Sequence, residues 1–203
     1  FYFSNVTQIG SAAFEDCKEI LSISIPKATQ IGKSAFKNCQ KLESITIPQN
    51  VTSIGDSAFF GCESLSSEIK IGDSITTLGQ GVFENCLSLT KVNISTKNLY
   101  NNRLPTSTFS GCKNLNTVSL PYVKIIGNSA FKECSSLKNV SGFLAGVTNI
   151  ETQAFYNCSS IREVYIHDIE KWCNSSFTSF YQNPLYNGAQ LYLNKKNASN
   201  ITI

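Results

Sequence analysis

The sequence predicts a solenoid of the α/β repeat, β-rich class, on three observations. First, the stretch from Ile31 to Pro48 reduces to the skeleton I-G-x-x-A-F-x-x-C-x-x-L-x-x-I-x-I-P, which returns six more times, more or less worn, along the 203 residues. Second, Phe14, Phe36, Phe59, Phe83, Phe109, Phe131 and Phe155 align with spacings of 22, 23, 24, 26, 22 and 24 residues. Three places after each stands a cysteine: Cys17, Cys39, Cys62, Cys86, Cys112, Cys134 and Cys158. Third, every unit ends on an alternating apolar pair, the period-two pattern of a strand with one face buried.

Within a unit, the residue three places after the cysteine is Ile20, Leu42, Leu65, Leu89, Leu115, Leu137 or Ile161. The strand pair follows as Ile23/Ile25, Ile45/Ile47, Ile69/Ile71, Val92/Ile94, Val118/Leu120, Val140/Gly142 and Val164/Ile166, with one extra residue before the pair in the third unit. A period of roughly 20–29 residues carrying L-x-x-L-x-L marks a leucine-rich repeat, in which each unit is one coil. The expected architecture is a right-handed leucine-rich-repeat solenoid, each coil adding one strand to a concave parallel sheet. Stacking of coils turns the Phe column into a continuous internal stack.

Between the Ile and the Phe stand Gly10, Gly32, Gly55, Gly79, Pro105, Gly127 and Glu151. Pro105 demands a negative φ, so close packing against the neighbouring coil, not a left-handed turn, explains these glycines. Segments such as Ser34–Cys39 read as a short helical or 3₁₀ turn. Pro26, Pro48 and Pro121 close strands, and segments such as Asn50–Ile54 cross back on the convex side. The ten steps from Ile94 to Leu104 exceed the usual six or seven, so residues 95–103 are expected to bulge outward; drift without a role and a functional insertion both fit.

After Ile166 the pattern gives way to an irregular, aromatic-rich coil, residues 167–203, containing Trp172, Cys173, Phe177, Phe180, Tyr181, Tyr186 and Tyr192. The regular coils span residues 5–166, and the whole is read as one domain. Both ends break off within the pattern, and the chain contains no Met, so it is expected to be a piece cut from a longer protein.

These residues carry a resemblance. The skeleton, seven times over, resembles the BspA-type (Treponema-type) leucine-rich repeat, and the tail with Trp172-Cys173, Asn183-Pro184-Leu185 and Leu191-Tyr192-Leu193-Asn194 is similar to a divergent unit of some of those proteins. The resemblance implies a cell-surface or secreted interaction module, adhesive toward host extracellular-matrix or cell-surface proteins, and names no binding residue. The Asn ladder of ordinary leucine-rich repeats is missing; only Asn50 falls at its place.

Chemistry finds little support. The net charge is +3, with 17 basic and 14 acidic residues and no block of like charge, which makes nucleic acid a poor partner. No apolar run approaches the ~20 residues of a membrane span, and no leader is visible at the start. Cysteines 22 to 26 apart and a single His167 make no metal cluster. The cysteines are read as a ladder of reduced, buried thiols rather than disulfides, because side chains stacked in register hold their Cβ atoms near the ~4.8 Å coil spacing rather than the ~3.8 Å a bridge prefers. Cys173, outside the ladder, is either a reactive thiol or buried beside Trp172. No nucleophile–base pair, carboxylate dyad or phosphate-binding glycine loop is present. No catalytic residue, cofactor or metal is expected, and the chain is read as a non-enzyme.

The solvent-facing strand positions remain: Ser24, Thr46, Lys70, Asn93, Ser119, Ser141 and Tyr165, preceded by Ser22, Ser44, Glu68, Lys91, Thr117, Asn139 and Glu163. Protein interfaces concentrate their energy on Trp, Tyr and Arg. The candidate partner-binding residues are therefore Arg162, Tyr165, Trp172 and Tyr186 in the C-terminal third, with Lys70 and Asn93 on the polar floor. The partner class is protein; a structural spacer that displays another domain and a glycan-binding surface are the rival readings.

Overall fold

The computed structural model describes residues 1–138, 140, 146–166, 168–174, 183–193 and 196–197. It is a parallel-stranded solenoid of about seven coils with few helices. The coil carries two short strands rather than the single one expected. One series is β1 (Gln8–Ile9), β3 (Gln30–Ile31), β5 (Ser53–Ile54), β7 (Thr77–Leu78), β9 (Arg103–Leu104), β11 (Ile125–Ile126) and β12 (Asn149–Ile150). The other is β2 (Ser22–Ile23), β4 (Ser44–Ile45), β6 (Ile69–Ile71), β8 (Lys91–Ile94), β10 (Thr117–Ser119), β13 (Glu163–Ile166) and β14 (Gln190–Leu193). All these pairings are parallel; only β15 (Lys196–Asn197) runs antiparallel, on β14.

Each series is interrupted where the sequence carries extra residues. The first is continuous from β1 to β7 and from β9 to β12, but β7 does not pair with β9, and the longest unit lies between them. In the second, β2 pairs with β4 and β6 with β8 and β10, while no pairing joins β4 to β6. The extra residue of the third coil sits at that step, where the amides of Ser66 and Ser67 both fall on the Glu43 carbonyl.

A third hydrogen-bonded series, through the Phe–Cys turns, has no such gap. In the second coil the amides of Ser34, Phe36 and Asn38 donate to the carbonyls of Asp56, Ala58 and Phe60 in the next, and three equivalent bonds recur at all six junctions between coils. Each turn has 3₁₀-type i→i+3 bonds, such as Ala35 N to Gly32 O, Lys37 N to Ser34 O and Cys39 N to Phe36 O. It does not run on as a regular helix, because two residues per coil are left-handed. These are Ala12, Ser34, Ser57, Gly81, Ser107, Ser129 and Gln153, and then Asp16, Asn38, Gly61, Asn85, Gly111, Glu133 and Asn157. Only three of these fourteen are glycines, and Asn and Asp tolerate the conformation better than other side chains.

The glycines between Ile and Phe are not left-handed. A Cβ on Gly32, Gly55, Gly79 or Gly127 would stand 2.3–2.6 Å from backbone atoms of the preceding coil, closer than any real contact. Close packing excludes a side chain there.

The rings of Phe14 through Phe155 form one stack, with centroids 5.2–5.7 Å apart and planes within 19° of parallel. Phe36 to Phe155 are buried and Phe14, in the first coil, is partly so. Beside the stack the thiols of Cys39, Cys62, Cys86, Cys112, Cys134 and Cys158 donate to the Phe carbonyl of the preceding coil at 2.9–3.2 Å. No disulfide joins the ladder cysteines to one another, and the six from Cys39 onward are fully buried. Burial pushes the Cys39 and Cys158 thiols up to about 12, and raises those of Cys62, Cys86, Cys112 and Cys134 well above the ordinary thiol value.

The long insertion is not simply a bulge. Leu99 is buried in line with Val51, Ile75 and Val123, and the buried Thr96 hydroxyl donates to the Ile75 carbonyl at 2.8 Å. The extra residues instead form a single 3₁₀ turn, Tyr100–Asn102, that lifts the Tyr100 ring into solvent.

Candidate interaction surface

The outward residues of the second strand series line up across the concave face by register. Ser22 stands opposite Ser44 on β2 and β4; Lys70 opposite Asn93, and Asn93 opposite Ser119; Tyr165 opposite Tyr192. The alternation puts Ile23, Ile45, Ile69, Val92, Val118 and Val164 in the core and leaves these residues at the surface.

At the C-terminal end the rings of Tyr165 and Tyr192 stack with centroids 4.8 Å apart. The Tyr165 hydroxyl donates to Glu163 at 2.9 Å, which raises the pKa of the phenol, and the Tyr192 hydroxyl donates to Gln190 at 2.7 Å. Arg162 is exposed and its Nη1 donates to the carbonyls of Ser159 and Ile161, so the guanidinium lies over the turn that precedes the strand. Sequence reasoning missed Tyr192, because β14 lacks the repeat skeleton and nothing in the pattern pairs it with Tyr165.

The six candidate residues do not form one site. Lys70 and Asn93 are neighbours, but they lie on the third and fourth coils while Tyr165 lies on the seventh. Trp172, on a short helix at Ile169–Asn174, is partly buried and packs on the core. Tyr186, in a 3₁₀ turn at Pro184–Asn187 capped by Asn183, is half exposed. His167, Asn139 and Ser141 lie outside the described residues, as does the Cys173 side chain.

A second feature occupies the N-terminal half, where β4 and β6 are unpaired. A cavity of about 490 Å³ opens there on the concave face, lined by Ser22, Ser24, Ser44, Thr46, Gln49, Ser67, Glu68 and Lys70 among others. Glu68 is held between Lys91 at 3.1 Å and Lys70 at 3.3 Å, and the Lys91 contact chiefly lowers its pKa. The one sequence signal for this cavity was the extra residue of the third coil.

Among the described residues no group of three or more His, Cys, Asp or Glu side chains is placed to hold a metal, and no helix is long and apolar enough to cross a membrane.

A coiled chain with stacked aromatics inside and variable polar residues on a parallel concave sheet is a leucine-rich-repeat scaffold. The chain belongs to the BspA type leucine rich repeat family, whose profile matches residues 2–102 and 102–191 in six copies. It is similar to the solved leucine-rich repeat protein TpLRR of T. pallidum, at 27% identity and a TM-score of 0.68 over 77% of this chain and 72% of that one. A leucine-rich repeat protein from Eubacterium ventriosum is 28% identical with a TM-score of 0.61, over 70% of this chain but 38% of its own. The pneumococcal vaccine antigen PcpA shares the fold at 17% identity and a TM-score of 0.53, over 97% of this chain and 40% of its own. No curated protein sequence matches. The family and its solved members are repeat scaffolds, and no enzyme family is indicated.

Proposed function

We propose that the chain is a binding module of a cell-surface or secreted protein, and that it acts in adhesion by holding a host extracellular-matrix or cell-surface protein without catalysis. The observation that carries this reading is the Tyr165–Tyr192 stack on the concave face, with the exposed Arg162 on the turn that leads into the strand. Tyrosine and arginine are residue types that dominate protein interfaces, and two tyrosines fixed on a rigid sheet bring large area at low entropic cost. The rigid scaffold supplies pre-organisation, which lowers the cost of association.

The test is binding of the purified chain to immobilised extracellular-matrix proteins, compared with the Tyr165→Ala and Arg162→Ala variants. Saturable binding that weakens at least about tenfold in either variant, as loss of one anchor predicts, supports recognition at this end. Absence of binding to any matrix protein or host cell favours the spacer reading instead.

A further inference from the structure

We infer that the concave cavity over the first three coils is a binding site for a neutral sugar residue. This goes beyond the protein-binding reading and rests on different residues.

The cavity spans a break in the sheet. Where β4 and β6 fail to pair, the floor opens to about 490 Å³, within the roughly 300–1,000 Å³ usual for small-molecule pockets. Small polar residues continue along the concave face at Ser119, but the opening lies at the interrupted step. The coils cannot part further: β3 still pairs with β5, and the Phe–Cys turns stay bonded from Ser34, Phe36 and Asn38 to the next coil. The opening is therefore a fixed recess.

Its lining selects the ligand class. Ser22, Ser44 and Thr46 are exposed hydroxyls on adjacent, in-register strands. They lie about 4.8 Å apart across the strands and about 6.7 Å along them. Each donates and accepts and can rotate to suit, as can the Gln49 amide. Glu68 adds an acceptor fixed by two lysines, and Lys70 adds donors. Phe1, Ile23, Ile45 and Ile47 complete the lining, so it matches a molecule with a hydroxyl rim, each group both donor and acceptor, and an apolar C–H face. Glu68 already holds Lys70 and Lys91 in salt bridges, so these charges are engaged with one another rather than with a ligand. Phe1, which lines the recess and is 72% exposed, offers a ring for the C–H face of a sugar. An extended peptide is poorly served: strand addition needs a free sheet edge, and the two unpaired edges face each other across coils held together elsewhere.

The experiment is an NMR titration of the chain with the methyl glycosides of glucose, galactose, mannose and N-acetylglucosamine. Glucuronate and a Gly-Ser peptide serve as comparators. Saturable shifts confined to the amides around Ser22, Ser44–Thr46 and Glu68–Lys70 are expected for at least one neutral glycoside. Thr46→Val, which keeps shape and removes the hydroxyl, should weaken that binding about five- to tenfold, as loss of one such hydrogen bond predicts, with an unchanged unfolding midpoint. No saturation with any neutral glycoside overturns the proposal, as does preference for glucuronate or the peptide, or full affinity in folded Thr46→Val. None of these outcomes depends on Tyr165 or Arg162.

Discussion

Arg103 and Glu151 are joined across an intervening coil: both guanidinium Nη atoms donate to the two carboxylate oxygens, with Nη2–Oε2 at 2.5 Å. Arg103 pairs with Ile125, which pairs with Asn149, so Glu151 reaches back over a whole coil. On the way its Oε2 also accepts the Asn128 amide at 3.1 Å. Glu151 stands where most coils have glycine, and its use there is structural.

Removing this clamp has a pH signature. The Arg103 hydrogen bond holds the Glu151 carboxyl below the usual carboxylate range. Its stabilisation is therefore full above the unfolded value near pH 4.3 and is lost as pH falls through the lower folded value. Both side chains are less than a third exposed, and Glu151→Gln should cost about 1 kcal/mol at neutral pH. In denaturant melts the gap between the two proteins should close on acidification below about pH 4. A gap independent of pH would sink the electrostatic account.

Gly79→Ala should destabilise by more than about 2 kcal/mol through overpacking, since the added Cβ meets Asp56 N at 2.3 Å and Gly55 C at 2.5 Å. Gly10→Ala, with nothing within 4 Å of its Cβ, should change the midpoint by no more than about 0.5 kcal/mol. Equal effects at the two positions would mean that backbone conformation, not coil contact, governs this column.

Gln153→Gly should stabilise. Gln153 holds φ at 56°, and a left-handed non-glycine residue costs about 1–2 kcal/mol. Glycine's greater freedom in the unfolded chain returns about 0.5–1 kcal/mol of that, leaving a gain of about 0.5–1 kcal/mol. A lowered midpoint in urea would show that the side chain's contacts outweigh the backbone term.

How much of this could be read in the sequence depends on the distance over which each feature repeats. The Phe and Cys columns were legible because each position is fixed by contacts to the same position one coil away. The strands β1, β3 and β5 were not, since two residues such as Gln30–Ile31 are too few to show a period. The left-handed positions hid behind ordinary residues, such as Ser34, Ser129 and Glu133, held there by amides that must point at the next coil. On the surface, Tyr165 was visible as an exception on the concave face, but its partner Tyr192 lies in a coil without the skeleton. The cavity needed a register, and one extra residue before Ile69 gives the length of a defect but not which strands part.

Phe83→Ala should cost about 3 to 5 kcal/mol. The ring is fully buried between Phe59 and Phe109, at 5.3 and 5.7 Å, and its loss leaves a void in the middle of the stack. Phe83→Leu, which fills most of that volume, should cost clearly less. An unchanged denaturation midpoint for the alanine variant would remove Phe83 from the core.

The buried thiols make the fold vulnerable to alkali. Six of them, Cys39 to Cys158 in the ladder, have pKa values pushed up chiefly by burial, to about 12 at Cys39 and Cys158 and well above the ordinary thiol value in the other four. In the unfolded chain each ionises near 8.5. For an acid whose folded value is raised, stability is complete below the unfolded value and falls as pH rises toward the folded one, by up to about 1.4 kcal/mol per thiol per pH unit. Six such groups acting together should unfold the reduced protein within about two pH units above 8.5. Replacing Cys86 by Ala removes one ionising group, so stability in that variant should fall less steeply with pH above 8.5, although its midpoint at neutral pH is lower. The same burial should leave these six thiols unreactive toward Ellman's reagent at neutral pH, while the denatured chain titrates all eight. A protein whose denaturant midpoint stays level up to about pH 11 would contradict both the burial of the thiols and their protonated state.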